Sequence, residues 1–131
     1  MNQDHIQRVD PDELGPASPA YAQANVVNGL IFLAGQAALD EHDRVVGEND
    51  TYAQTSYALG RVERLLSHVG SDLAHVVSAQ VFITPDADFA EFNRAWKETF
   101  ASIRPSRTTA VAGLVLQGCL VEIVITAAVA R

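Results

Sequence analysis

The chain has 131 residues, 48% of them apolar and 19% charged, which is enough to bury one core and too little for two independent ones. Nine basic against 16 acidic side chains leave a formal charge of -7 with a single lysine, and this argues against a nucleic-acid partner, whose phosphates bind clustered cations. A lone cysteine, Cys119, excludes an internal disulfide.

The chain opens on polar residues (Asn2, Gln3, Asp4, His5), without the basic and then apolar pattern of a signal peptide. No apolar run reaches a membrane-spanning length, so the cytoplasm is the expected location and no membrane partner is expected. Ile6 to Val9 suits a short edge strand, and Asp10 to Ala20, with Pro11, Gly15, Pro16 and Pro19, reads as a loop. From Ala22 to Ala34, two apolar segments flank Asn28-Gly29, a pair that accepts the positive φ angles of a tight hairpin turn. The polar stretch from Asp40 to Asn49 reads as a loop with a scrap of strand at Val45-Val46.

Asp50 suits the cap of a helix whose apolar positions Leu59, Val62, Leu66 and Val69 recur at helical spacing until Gly70 stops it. Val76 to Thr84 has the β-branched content of a strand ended by Pro85. Asp86 or Asp88 starts a second helix through Phe100, with Phe89, Phe92, Trp96 and Phe100 on one face as core. Thr108 to Val115 and Leu120 to Ala130 read as two further strands, the last apolar on both faces. The order predicts one α+β domain over residues 1–131, residues 1–20 forming the edge strand and loop, with two helices on one face of a mixed sheet. The other face then needs a cover, expected from further copies of the chain.

Polar residues break this pattern. Glu122 interrupts the last strand, where a carboxylate must be paired, hydrogen-bonded or protonated, either in a structural ion pair or in a site. Arg107 begins the preceding strand, and an antiparallel neighbour would bring it near the last one; its planar fork can grip Glu122 or the carboxylate of a substrate. Asn93 sits beside the apolar face of the second helix, where its amide bonds either backbone or a ligand. Tyr21 stands at the entry to the first hairpin. His5, His42, His68 and His75 show no metal-ligand spacing, and no glycine-rich phosphate loop or nucleophile elbow is present, so neither metal nor cofactor is expected.

Several segments, in order and spacing, resemble the Rid family of YjgF-type imine deaminases: Tyr21-Ala22-Gln23-Ala24, Phe32-Leu33-Ala34-Gly35-Gln36, Val81-Phe82-Ile83-Thr84, Asp88-Phe89 with Phe92-Asn93, Pro105-Ser106-Arg107-Thr108 and Leu120-Val121-Glu122-Ile123. The resemblance covers about Tyr21 to Val129. It implies a chorismate-mutase-like domain forming a homotrimer around a central barrel, with active clefts between subunits, and hydrolysis of 2-imino acids or enamines to 2-oxo acids and ammonia without a cofactor. By the same resemblance Arg107 binds the substrate carboxylate and Glu122 positions the hydrolytic water. Tyr21, Asn93, Ala34, Gly35 and Thr109 fall in the substrate pocket. Ala34 stands where many members carry Ser, which removes one hydroxyl, and Thr109 stands where some carry Cys. Three alternatives stay open: a module that senses small carboxylates, a deaminase of an aminoacrylate or aminomuconate type of compound, and the ribonuclease or translation-inhibitor role of some relatives, which the acidic balance opposes.

Overall fold

The computed structural model describes residues 5–131; Asn2, Gln3 and Asp4, which bear on the signal-peptide expectation, lie outside the described residues. Strands β1 (Gln7–Val9), β2 (Ala24–Val27) and β3 (Leu30–Leu33) precede helix α1 (Thr51–His68). Strand β4 (Val76–Ile83), helix α2 (Phe89–Phe100), β5 (Ser106–Val111) and β6 (Val121–Ala128) follow. The six strands form one sheet in the order β1-β2-β3-β6-β4-β5, every pair antiparallel except β4 with β5. This is the expected mixed sheet of an α+β domain.

Local chemistry explains most of the boundaries. Asn28 and Gly29 both take positive φ (51° and 78°), which matches the tight turn to the twist of β2 and β3. The Asp50 carboxylate accepts from the Ala53 N–H at 2.9 Å and caps α1, whose stripe of Ala58, Leu59, Val62, Leu65 and Leu66 is buried. Asp88 caps α2 by accepting from the Glu91 N–H, while its own N–H donates to the Thr51 hydroxyl and ties the starts of the two helices together. Phe92, Trp96 and Phe100 are core residues as expected; Phe89, in the first turn, is half exposed and stacks on Phe92 from outside.

Strand β5 starts two residues earlier and stops four residues sooner than the pattern predicts. Its partner explains this. Strand β4 ends at Ile83 ahead of Pro85, so after the Ala112 N–H has bonded the Ile83 carbonyl no parallel ladder is left to extend, and Val115 is in solvent.

In β6, Val121, Ile123, Ile125 and Ala127 are buried in the core with the helices, while Glu122, Val124, Thr126 and Ala128 are half-buried on the opposite face. That second face continues onto exposed Leu30 and Phe32 of β3, which pair in register with Ala128 and Thr126. No helix among the described residues is long and apolar enough to cross a membrane.

Candidate functional site

Strand β3 ends and β6 begins at the same edge of the sheet, and there the chain Ala34-Gly35-Gln36 leaves β3 without breaking contact with β6. Gln36 exchanges two backbone hydrogen bonds with Ile123, each 2.8 Å, and the Ala34 N–H donates to the Gln23 carbonyl at 2.9 Å. Glu122, the neighbour of Ile123, therefore lies directly against Gly35. A Cβ at position 35 would overlap the Glu122 carboxylate, so only glycine lets the two sit this close. The carboxylate is half-buried and, among the described residues, has neither an ion-pair nor a hydrogen-bond partner.

An open cleft of about 910 Å³ runs past this carboxylate. It is lined by residues at strand ends (Gln23, Ala34, Gly35, Glu122), by Arg61 of α1 and by the loop segments Gly15–Ser18 and Val115–Gln117. Tyr21, Ala34, Gly35 and Glu122 all line it, so four of the residues singled out from the sequence come together. Tyr21 is 59% exposed and keeps its ring free.

The same cleft holds a cation. Arg61 of α1 is buried to 7% exposure, donates from Nε to the Gln36 side-chain carbonyl at 3.0 Å and from Nη1 to the Leu39 carbonyl at 2.9 Å. Gln36 passes the restraint on, donating to the Gln23 side chain at 2.8 Å and to the Ala34 carbonyl at 3.0 Å. Burial pushes the Arg61 guanidinium below its ordinary value, and the charge of Arg64 adds to this. The sequence does carry a signal for Arg61: with Ala58 three residues before and Leu65 four residues after, it falls on the apolar stripe of α1.

The remaining candidates lie elsewhere. The antiparallel approach of Arg107 to the last strand does not form, because β5 pairs only with β4, in parallel, and β4 separates it from β6. Arg107 is level with Ala79 and Ile125 and shares their helix-side face, opposite to that of Glu122. Two strand spacings and three residues put the two Cα atoms roughly 14 Å apart. Neither a direct Arg107–Glu122 ion pair nor a shared pocket therefore exists within one chain.

Around Arg107 the setting is aromatic: its guanidinium carbon is 5.1 Å from the Phe92 ring centre and 5.2 Å from that of Trp96, and burial lowers its pKa. Thr109, two residues on along the same face, has a buried hydroxyl with no partner among the described residues. Asn93 of α2 is half-buried and its amide makes no hydrogen bond there, so the backbone bond offered as its structural role is not formed. Arg107 also lines a groove of about 510 Å³ with Trp96, Lys97 and Arg104.

The Cys119 thiol, 3% exposed, is pushed up by burial and by the nearby Glu122 charge. His68 bonds Glu13 and His75 bonds Asp72 at the surface, and no cluster of metal-ligating side chains occurs among the described residues.

A family model described as Endoribonuclease L-PSP matches residues 12–129. The 3-aminoacrylate deaminase RutC of Acinetobacter baylyi is 31% identical over 113 residues, 86% of this chain and 90% of that protein. A RutC family protein of Haemophilus influenzae is 33% identical over 123 residues, 93% of this chain and 97% of its own. Among solved structures, a protein of unknown function of the conserved Rid family from Yersinia pestis superposes with a TM-score of 0.87 at 27% identity, covering 95% of this chain and 99% of that one.

Proposed function

Since the chain belongs to the Rid family, the YjgF or endoribonuclease L-PSP family, we propose that it is a cofactor-independent deaminase that hydrolyses 2-imino acids or their enamine tautomers to 2-oxo acids and ammonia. The observation that carries this reading is the Glu122 carboxylate, which has no ion-pair or hydrogen-bond partner among the described residues and is held against Gly35 in a cleft sized for a small molecule. A carboxylate with no structural partner keeps its lone pairs for a water.

In the proposed reaction, Glu122 orients a water and takes its proton as the oxygen bonds to the imine carbon. That proton passes to the nitrogen, which takes the C=N π pair; Glu122 then carries the proton of the new hydroxyl to nitrogen as well, and the C–N bond breaks as the carbonyl forms and ammonia departs. The substrate is already an electrophile, so positioning and one general base are enough. Because Arg107 faces away from Glu122 in its own chain, the carboxylate anchor of this reading is Arg107 of a neighbouring copy, with Asn93 and Thr109 beside it. The unpartnered Thr109 hydroxyl, the free Asn93 amide and the exposed Leu30–Phe32 sheet face support assembly into a homotrimer with shared clefts.

For the substrate side chain, the 2-iminobutanoate and 2-iminopropanoate type is the primary choice. A 3-aminoacrylate type of enamine is the second, favoured by the named activity of the Acinetobacter relative and by Ala34, which offers no hydroxyl. In a semicarbazide-trapping assay on imines generated in situ, Arg107→Ala is expected to cut accelerated release of 2-oxo acid roughly 10- to 100-fold while the oligomer persists. Undiminished turnover in that variant removes the mechanism. A flat assay for the wild type alongside binding of 2-oxobutanoate would make the chain a carboxylate sensor.

A further inference from the structure

Resting on that deaminase reading, we infer that Arg61 is a positioning residue of the Glu122 cleft, fixing through Gln36 the wall against which the catalytic carboxylate is set. The guanidinium grips the Gln36 side chain and the Leu39 carbonyl together, so it closes over the three-residue step between them. Gln36 is the hub. Its side-chain amide holds Gln23 and the Ala34 carbonyl, and its main chain holds Ile123 on both sides, so one cation restrains both the Gly35 contact surface and the start of the strand that carries Glu122.

Arg61 has no ion-pair partner among the described residues, and burial works against its ionised form, so its bonds to Gln36 and Leu39 are what make the charge tolerable here. An apolar side chain of similar length on the stripe of α1 would fill the same volume without the desolvation cost but would leave two acceptors without a donor. An apolar residue has no donors for Gln36 and Leu39, and a lysine, as a single compact ammonium, cannot reproduce the two-point fork.

The test compares the full chain with Arg61→Met, Arg61→Lys and Gln36→Ala. Arg61→Met is expected to keep its fold and oligomeric state, with a melting temperature lowered by the two acceptors left without a donor, while kcat falls roughly 10²-fold, the scale of a misplacement of about 1 Å. KM is expected to stay within about threefold, because the carboxylate anchor is untouched. Arg61→Lys should recover only part of kcat, and Arg61→Met combined with Gln36→Ala should be no slower than either alone, since both cut the same link. Amide exchange at Gln36 and Ile123 should quicken roughly tenfold in Arg61→Met, with the β2–β3 amides unchanged.

A rise in KM at constant kcat would overturn the inference by placing Arg61 on the substrate. Unchanged kcat and unchanged exchange would overturn it as well. If Arg61→Met does not fold, the split between kcat and KM in Arg61→Lys and Gln36→Ala decides the matter. Should the wild type itself lack turnover, the deaminase reading fails, and amide exchange alone then decides whether Arg61 holds the wall.

Discussion

If Arg107 and Glu122 serve one cleft from two copies, two impaired variants should restore each other. Arg107→Ala removes a charge-assisted carboxylate anchor, a loss of about 1.5 to 3 kcal/mol or roughly 10- to 100-fold in kcat/KM. Glu122→Ala removes the general base, which typically supplies about 10² to 10⁴. Within one chain the two residues sit on opposite faces of the sheet with β4 between them, so no rotamer lets both touch one small acid. In an equal, randomly exchanged mixture, a cleft is intact when its Glu122 comes from an Arg107→Ala chain and its Arg107 from a Glu122→Ala chain. Each choice has an even chance, so about one quarter of clefts recover in any closed ring. The assay is co-refolding at equal concentrations, native mass spectrometry to verify exchange, and trapping of the 2-oxo acid. Recovery to about a quarter of wild-type kcat/KM, read at subsaturating substrate, is the expected result. Activity no greater than the mean of the two variants, after exchange is verified, refutes the shared cleft.

Three further outcomes follow from the geometry. Gly35→Ala places a methyl group where the Glu122 carboxylate rests; because that carboxylate is the free end of a side chain, the chain should fold normally and lose roughly 10²-fold in kcat, and normal turnover would show that Glu122 acts from another position. Asp50→Ala removes the N-cap of α1 and should lower unfolding stability by about 1 kcal/mol, read as a drop of roughly 0.5 M in the urea midpoint with an unchanged slope. Cys119, buried and with its thiol pushed upward, should resist a thiol reagent at pH 8 in the native chain and react at once in urea; rapid labelling without denaturant would contradict its placement.

What the sequence disclosed was what short-range chemistry decides. Asn28-Gly29, the caps at Asp50 and Asp88, and the stop at Pro85 each act within a few residues, so both helices, the hairpin and β4 could be read from the chain alone. Of the Glu122 cleft, Glu122 was legible by itself, as a carboxylate in an apolar strand, whereas Tyr21 meant little alone and Ala34 and Gly35 were picked out only by the resemblance to the Rid family. Strand order was not legible. Whether β5 adds beside β6 or on the far side of β4 depends on pairings between segments distant in sequence, and that choice sets the face on which Arg107 emerges. Arg61 was missed for a related reason: its spacing places it on a buried stripe, but the acceptors that make it tolerable there are 25 and 22 residues away.

The lining of the cleft by both strand-end residues and loop segments has an evolutionary consequence. The groups that would carry out hydrolysis are anchored in hydrogen-bonded ladders, whereas Gly15–Ser18 and Val115–Gln117 contribute little to the core beyond Leu14 at their margin. Insertions or exchanges in these loop segments can therefore reshape the space for a side chain at little cost to folding. Preference for one imine over another can drift among relatives while the chemistry beneath it stays the same.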